Sequence, residues 1–173
     1  MPKPQASRPY MPGYGIADAN GGRGLLPWRW AEECLEKGRT YFLSTADSSG
    51  KPHLMPVWGV WFNGAFFFST GNKSRKARNL SENSRCSVAT EIDFEKRPRK
   101  KGQINDTVIL EGVAEVIADT RSRKKFCIIY QEKYGWDMAD FDEPVYRLNP
   151  SVVFGIGSEF TETATRWRFD EGR

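Results

Sequence analysis

Lys51-Pro52-His53-Leu54-Met55-Pro56-Val57-Trp58-Gly59-Val60-Trp61-Phe62-Asn63-Gly64-Ala65-Phe66-Phe67-Phe68-Ser69-Thr70 reads as one long strand, a two-residue turn and a second strand. Asn63-Gly64 suits a type I′ hairpin turn, whose two central residues take positive φ. Aromatic and β-branched residues flank it on both sides. Upstream, Arg39 to Ala46 has strand composition and meets Lys51 through the turn cluster Asp47-Ser48-Ser49-Gly50, which makes three antiparallel strands in a row. Before them, Trp30, Ala31, Cys34 and Leu35 fall at helical intervals between Pro27 and Gly38. Beyond Thr70, Ser74 caps a helix through Glu82, and strands follow at Arg85 to Ile92 and at Asp106 to Ala118, the latter with a bulge near Gly112. Asp119 or Thr120 caps a helix reaching Tyr134, and three further strands are expected at Pro144 to Leu148, Ser151 to Ile156 and Thr163 to Phe169.

This order is mainly β (α+β) and predicts an antiparallel barrel, closed or partly closed, with peripheral helices rather than a doubly wound parallel sheet. Gly155-Ile156-Gly157 does not open a dinucleotide fingerprint, because Phe160 stands where its third glycine belongs. With 173 residues, 39% of them hydrophobic, the chain suits a single domain over 27–173 preceded by an extended Pro/Gly-rich arm over 1–26. Apolar runs such as Val57 to Phe62 fall short of the roughly 18 residues of a membrane span. No secretory core is legible in Met1 to Gly22, so a cytoplasmic, membrane-free protein is the expectation.

Cys34, Cys86 and Cys127 form no paired motif and read as core residues. His53 is the sole histidine, which disfavours a metal site, zinc hydrolysis and a nucleophile-histidine triad. The net charge of +4, from 26 basic and 22 acidic residues, permits an anionic partner without requiring nucleic acid.

Chemistry concentrates between Phe66 and Leu80. A helix start prefers carboxylates, yet this one carries Lys73, Arg75, Lys76 and Arg78 with no acid before Glu82. Free amides at the helix start, the hydroxyls of Ser69 and Thr70 and an Arg/Lys pair describe a phosphate cradle; a solvated basic face is the plainer alternative. Trp58 follows Pro56, a residue restricted to strand edges, so free backbone groups there suit a planar ligand, although Trp58 and Trp61 also read as ordinary core and surface aromatics.

Ser44-Thr45, Asp47 to His53 and Pro56-Val57-Trp58, then Phe68-Ser69-Thr70 and Ser74-Arg75-Lys76-Ala77-Arg78-Asn79-Leu80, resemble in their order the pyridoxamine 5′-phosphate oxidase-like superfamily of flavin and deazaflavin oxidoreductases. The resemblance runs from about Trp28 to Phe169. It implies a split β-barrel of the FMN-binding type, a homodimer, and FMN or the deazaflavin coenzyme F-420 in a groove between subunits. On that resemblance Ser69, Thr70, Arg75 and Lys76 hold the phosphate, and Ser74 and Asn79 support it. His53, Leu54, Met55, Pro56, Val57 and Trp58 run along the ring through main-chain contacts, and Trp167 approaches it from the partner. His53 to Trp58 lacks the Arg/Lys strand of true pyridoxamine-phosphate oxidases, and Arg166-Trp167-Arg168 replaces their Arg-x-His clamp, which points away from vitamin B6 oxidation.

The implied chemistry is hydride transfer to or from a small organic molecule, with His53 either a proton donor or simply solvent-facing. The stretch Arg8 to Gly15 reads as a lid or a tail, and Lys96 to Lys101 as a second anion site or a solvated loop. The rival readings are a flavin- or haem-binding protein without turnover and, less favoured, a nucleic-acid-binding barrel.

Overall fold

In the computed structural model, which describes residues 4–18, 22–92 and 104–169, the chain runs β1 (Gln5–Ser7), α1 (Trp28–Lys37), β2 (Tyr41–Ala46), β3 (Pro52–Val57), β4 (Gly59–Phe62), β5 (Ala65–Ser69), α2 (Arg75–Glu82), β6 (Arg85–Ile92), β7 (Asp106–Val116), α3 (Thr120–Tyr134), β8 (Val145–Ile156), α4 (Phe160–Thr163) and β9 (Thr165–Arg168). The basic loop Lys96 to Lys101 lies outside the described residues. All strand pairs are antiparallel, in the order β1-β9-β8-β7-β6-β2-β3, with β5 joined to β8 and β4 to β5. β8 branches the sheet. One edge pairs with β7 along its length, while the other takes β5 at Val145 to Leu148 and β9 at Val152 to Gly155. β3 and β4 end the two arms without pairing to each other, so the antiparallel barrel is split rather than closed.

The long strand expected from Lys51 to Phe62 is broken at Trp58. β3 pairs with β2, whereas β4 pairs with β5. Gly59 enforces the break. Its amide donates to the Tyr134 hydroxyl at 3.1 Å, and that hydroxyl donates to the Gly59 carbonyl at 2.8 Å, so a side chain takes the place of a neighbouring strand. A second correction joins Pro144 to Leu148 and Ser151 to Ile156 into the single strand β8. The expected bulge is present, but its extra residue, Ser151, sits on β8 opposite Glu111 and Gly112. Pro150 is tolerated there because the ladder is already interrupted. A Cβ on Gly112 would lie 2.1 Å from the Asn149 carbonyl oxygen, so this crossing requires glycine. The last expected strand is shortened to β9 because Phe160–Thr163 coils into α4.

Two cores lie on either side of β5, which explains its unbroken apolar run. Phe66 and Phe68 join Ala31, Cys34 and Leu35 of α1 with Leu43, Leu110 and Trp167. Phe67 points the other way, to Phe126 and Tyr130 of α3 with Val60 and Val145. Burying each such aromatic contributes about 1.5–3 kcal/mol. Cys34 and Cys86 are buried as expected, but Cys127 is only half-buried.

The N-terminal arm contains a strand where the sequence shows no packed element. β1 pairs with β9, and the Arg8 guanidinium donates to the carbonyls of Ala17 (3.0 Å), Arg23 (3.2 Å), Ala164 (2.9 Å) and Glu162. Among the described residues no helix is long and apolar enough to cross a membrane.

Candidate functional site

The start of α2 is organised by short-range bonds. Ser74, extended at φ −68° and ψ 158°, accepts from the Ala77 amide through its hydroxyl. Its own amide donates to the Gly71 carbonyl at 2.9 Å, and its Oγ lies 3.1 Å from Thr70 Oγ1. Two hydroxyls sharing one hydrogen bond keep one proton free for a ligand. The amides of Arg75 and Lys76 have no acceptor among the described residues, and no acid stands in the first turn. Glu143, from the loop before β8, accepts from the Asn72 amide at 3.1 Å, and the Ser69 hydroxyl donates to the Pro144 carbonyl at 2.8 Å. Ser69 therefore offers lone pairs rather than a proton unless that bond is released.

On its inner face α2 buries Ala77, Asn79 and Leu80. Asn79 Nδ2 donates to Thr45 Oγ1, and Thr45 pairs in register with His53. His53 is thereby brought to Arg75 and Lys76. Burial and those two cations together hold its imidazole below the ordinary histidine range, favouring the neutral ring. A recess of about 310 Å³ separates α2 from the Asp47 to Gly50 turn, lined by Ser48, Ser49, Arg75, Arg78 and Asn79 but also by Asp47 and Glu82. Those carboxylates make it a poor seat for a phosphate dianion.

β3 is an edge strand, bonded only to β2 among the described residues. Leu54, Met55, Pro56 and Trp58 are exposed along it, while Val57 is buried in the core. The Trp58 ring rests 5.6 Å from Trp136. Trp167 needs correcting. It is 1% exposed and sits 5.5 Å from the Trp28 ring, with its indole edge against Gly155, so it fills the core and has no face to give a ligand. Its neighbours Arg166 and Arg168 point to the opposite face.

That opposite face carries a feature the linear sequence hides. Register places Phe154, Ile109, Ala89, Phe42 and Pro56 in one row across five strands, on the side away from the core. Beside the row, an open groove of about 810 Å³ crosses Ser44, Ser87, Glu111, Val113 and Asn149.

The family model described as pyridoxamine 5′-phosphate oxidase matches residues 30–156, and the chain belongs to that family. No curated protein matches it in sequence. Its fold is that of several solved structures. A conserved hypothetical protein of Mycobacterium tuberculosis superposes with TM-score 0.66 at 20% identity, covering 80% of this chain and 89% of the other. The heme storage protein HutZ of Vibrio cholerae gives 0.59 at 18%, covering 77% and 95%. A FAD-binding protein of Mesorhizobium loti gives 0.57 at 15%, covering 84% and 96%.

Sequence reasoning missed Glu143 and Pro144, whose bonds to Asn72 and Ser69 ahead of α2 have no local signal, and the cross-strand row, which becomes visible only once register is known.

Proposed function

We propose that the protein is a flavin- or deazaflavin-dependent oxidoreductase, acting in the cytoplasm as a homodimer on a small organic molecule, with FMN or F-420 held by its phosphate at the start of α2. The observation that carries this reading is the start of α2, where the amides of Arg75 and Lys76 find no acceptor among the described residues, Thr70 and Ser74 share one hydroxyl bond, and His53 feels the charge of both cations. An anion there relieves the charge that the helix start otherwise accumulates. Asn79 holds α2 in place from beneath, and Ser69 stands at the entrance.

The free edge of β3 supplies backbone donors and acceptors beside Leu54, Met55 and Pro56, and exposed Trp58 covers one end of a planar ring. When bound, the coenzyme supplies the hydride chemistry. The chain grips the phosphate, orients the ring against β3 and presents backbone donors to charge that develops on it. The row from Phe154 to Pro56 is the surface we assign to the second subunit, since it is apolar and lies on the face opposite the core.

Fluorescence titration of the purified apo-protein with FMN and, separately, with F-420 tests the reading. Micromolar or tighter binding of either supports it; binding of neither overturns it. A haem-binding protein without turnover is the second reading, favoured by a half-exposed neutral His53 beside two cations suited to propionates. A Soret band that shifts in His53→Ala would select it.

A further inference from the structure

Trp58 stands at the junction of β3 and β4 with 43% of its surface exposed. An indole so exposed ordinarily samples several staggered rotamers. Here the C-terminal end of α3 reaches it twice. The Gly59 amide, which shares a peptide group with the Trp58 carbonyl, donates to Tyr134 Oη at 3.1 Å, and Tyr134 Oη donates to the Gly59 carbonyl at 2.8 Å. A phenol accepts and donates at once, so one side chain fixes the peptide planes on both sides of Gly59, including the one that carries Trp58. The Trp136 ring then meets the Trp58 ring at 5.6 Å and 47°.

Gly135 makes the double contact possible. At φ 74° and ψ 15° it ends α3 in the left-handed conformation, and the turn lets Tyr134 and Trp136, on either side of it, both reach the junction. Behind them the buried Tyr130 ring lies 4.7 Å from Tyr134 and 5.9 Å from Trp136, and Met138 is anchored in the second core. Trp136 itself stays 51% exposed, so its contact with Trp58 is not a by-product of core packing.

We propose that Tyr134 and Trp136 are positioning residues that hold Trp58 as a fixed wall for the planar ring at the β3 edge. Tyr134 acts through the main chain of Gly59, and Trp136 acts through the indole. The role rests on the coenzyme reading for the ring that Trp58 meets. An indole already fixed loses little freedom when a ligand arrives, and it offers its face for offset stacking.

Fluorine relaxation in the ligand-free, full-length protein labelled with 5-fluorotryptophan tests the positioning without any coenzyme. Among the six tryptophans, the Trp58 signal is the one that Trp58→Phe removes. In the wild type it should be as rigid as that of buried Trp167, and clearly more mobile in Tyr134→Phe and in Trp136→Leu. Trp136→Leu changes an exposed residue and keeps the fold, should Tyr134→Phe not. A mobile Trp58 in the wild type, or an equally rigid one in the variants, overturns the proposal.

Fluorescence titration completes the test. Both variants should weaken riboflavin, which has the ring without the phosphate, and FMN by the same factor of at least about fivefold, and Trp136→Phe should recover most of that loss. Unchanged riboflavin affinity in the variants, with the wild type binding, overturns the positioning role alone. A wild type that binds neither riboflavin nor FMN overturns the coenzyme reading and this role with it.

Discussion

Asn79 Nδ2 donates to Thr45 Oγ1 at 2.9 Å with both residues buried, so one interior hydrogen bond ties α2 to β2. α2 has eight residues, too few to hold as a helix without such support. Asn79→Ala should cost about 1–3 kcal/mol in urea denaturation, because it removes the donor to the buried Thr45 oxygen and leaves that hydroxyl only its 3.5 Å bond to the His53 carbonyl. Thr45→Val should cost a similar amount, and the double variant less than the sum by at least about 0.5 kcal/mol. Strict additivity would show that the two side chains act separately.

Removing the cations of α2 should separate binding from stability. Arg75→Ala with Lys76→Ala is expected to weaken FMN or F-420 binding more than about tenfold, or about 1.4 kcal/mol. Both residues are only half-buried, and cations are misplaced at a helix start, so the same variant should keep or slightly raise its melting temperature. Loss of affinity together with loss of fold would point to a merely structural role.

His53 gives a pH dependence with a defined sign. Burial, then Arg75 and Lys76, lower its pKa in the folded protein. The neutral ring is the one the fold prefers, so this contribution to stability is complete above the unfolded value near 6.5 and is lost as pH falls through the folded one. A bound phosphate should raise the His53 pKa again. Phosphate-bearing coenzyme must then bind more tightly as pH falls through that window. NMR titration of the imidazole with and without ligand checks both statements, and a downward shift on binding would contradict them.

Much of the framework was legible because its signals are local. Asn63-Gly64, the Ser74 and Asp119 caps and the strand compositions each depend on a few neighbouring residues, and the structure keeps them. The breaks were not legible, because their causes are distant. Gly59 ends a strand only through Tyr134 on α3, and β8 stays continuous through Pro150 only because Gly112 lies opposite. Site residues divide the same way. Arg75 and Lys76 announce themselves as misplaced charges, whereas Trp167 entered the site only through the family resemblance, and its packing against Trp28 in the core depends on distant contacts.

Gly59 should be intolerant of substitution. A Cβ at that position would lie 2.2 Å from the fully buried ring of Phe66 and 2.7 Å from the Phe67 carbonyl oxygen. Gly59→Ala is therefore expected to destabilise by about 1–3 kcal/mol, the usual cost of overpacking. Adding Phe66→Leu should recover part of that loss by giving the methyl room. Chemical denaturation of Gly59→Ala, Phe66→Leu and the double variant decides the matter, and a stability for Gly59→Ala equal to wild type would refute the lack of room for a side chain at this position.

A dimer joined through the outward row, as proposed, should depend on one residue. Phe42 is the fourth of its five residues, between Ala89 and Pro56, and is 45% exposed, so a charge there leaves the protomer core untouched. Opposed across a self-complementary interface, two such charges would face the partner's apolar row without a counter-ion. Phe42→Glu should sediment as a monomer at micromolar concentration while retaining its far-ultraviolet circular dichroism. Its coenzyme affinity should fall as well, since the proposed groove is completed by the second subunit. An unchanged dimer would move the interface to another face, and a wild-type monomer with coenzyme bound would remove the need for one.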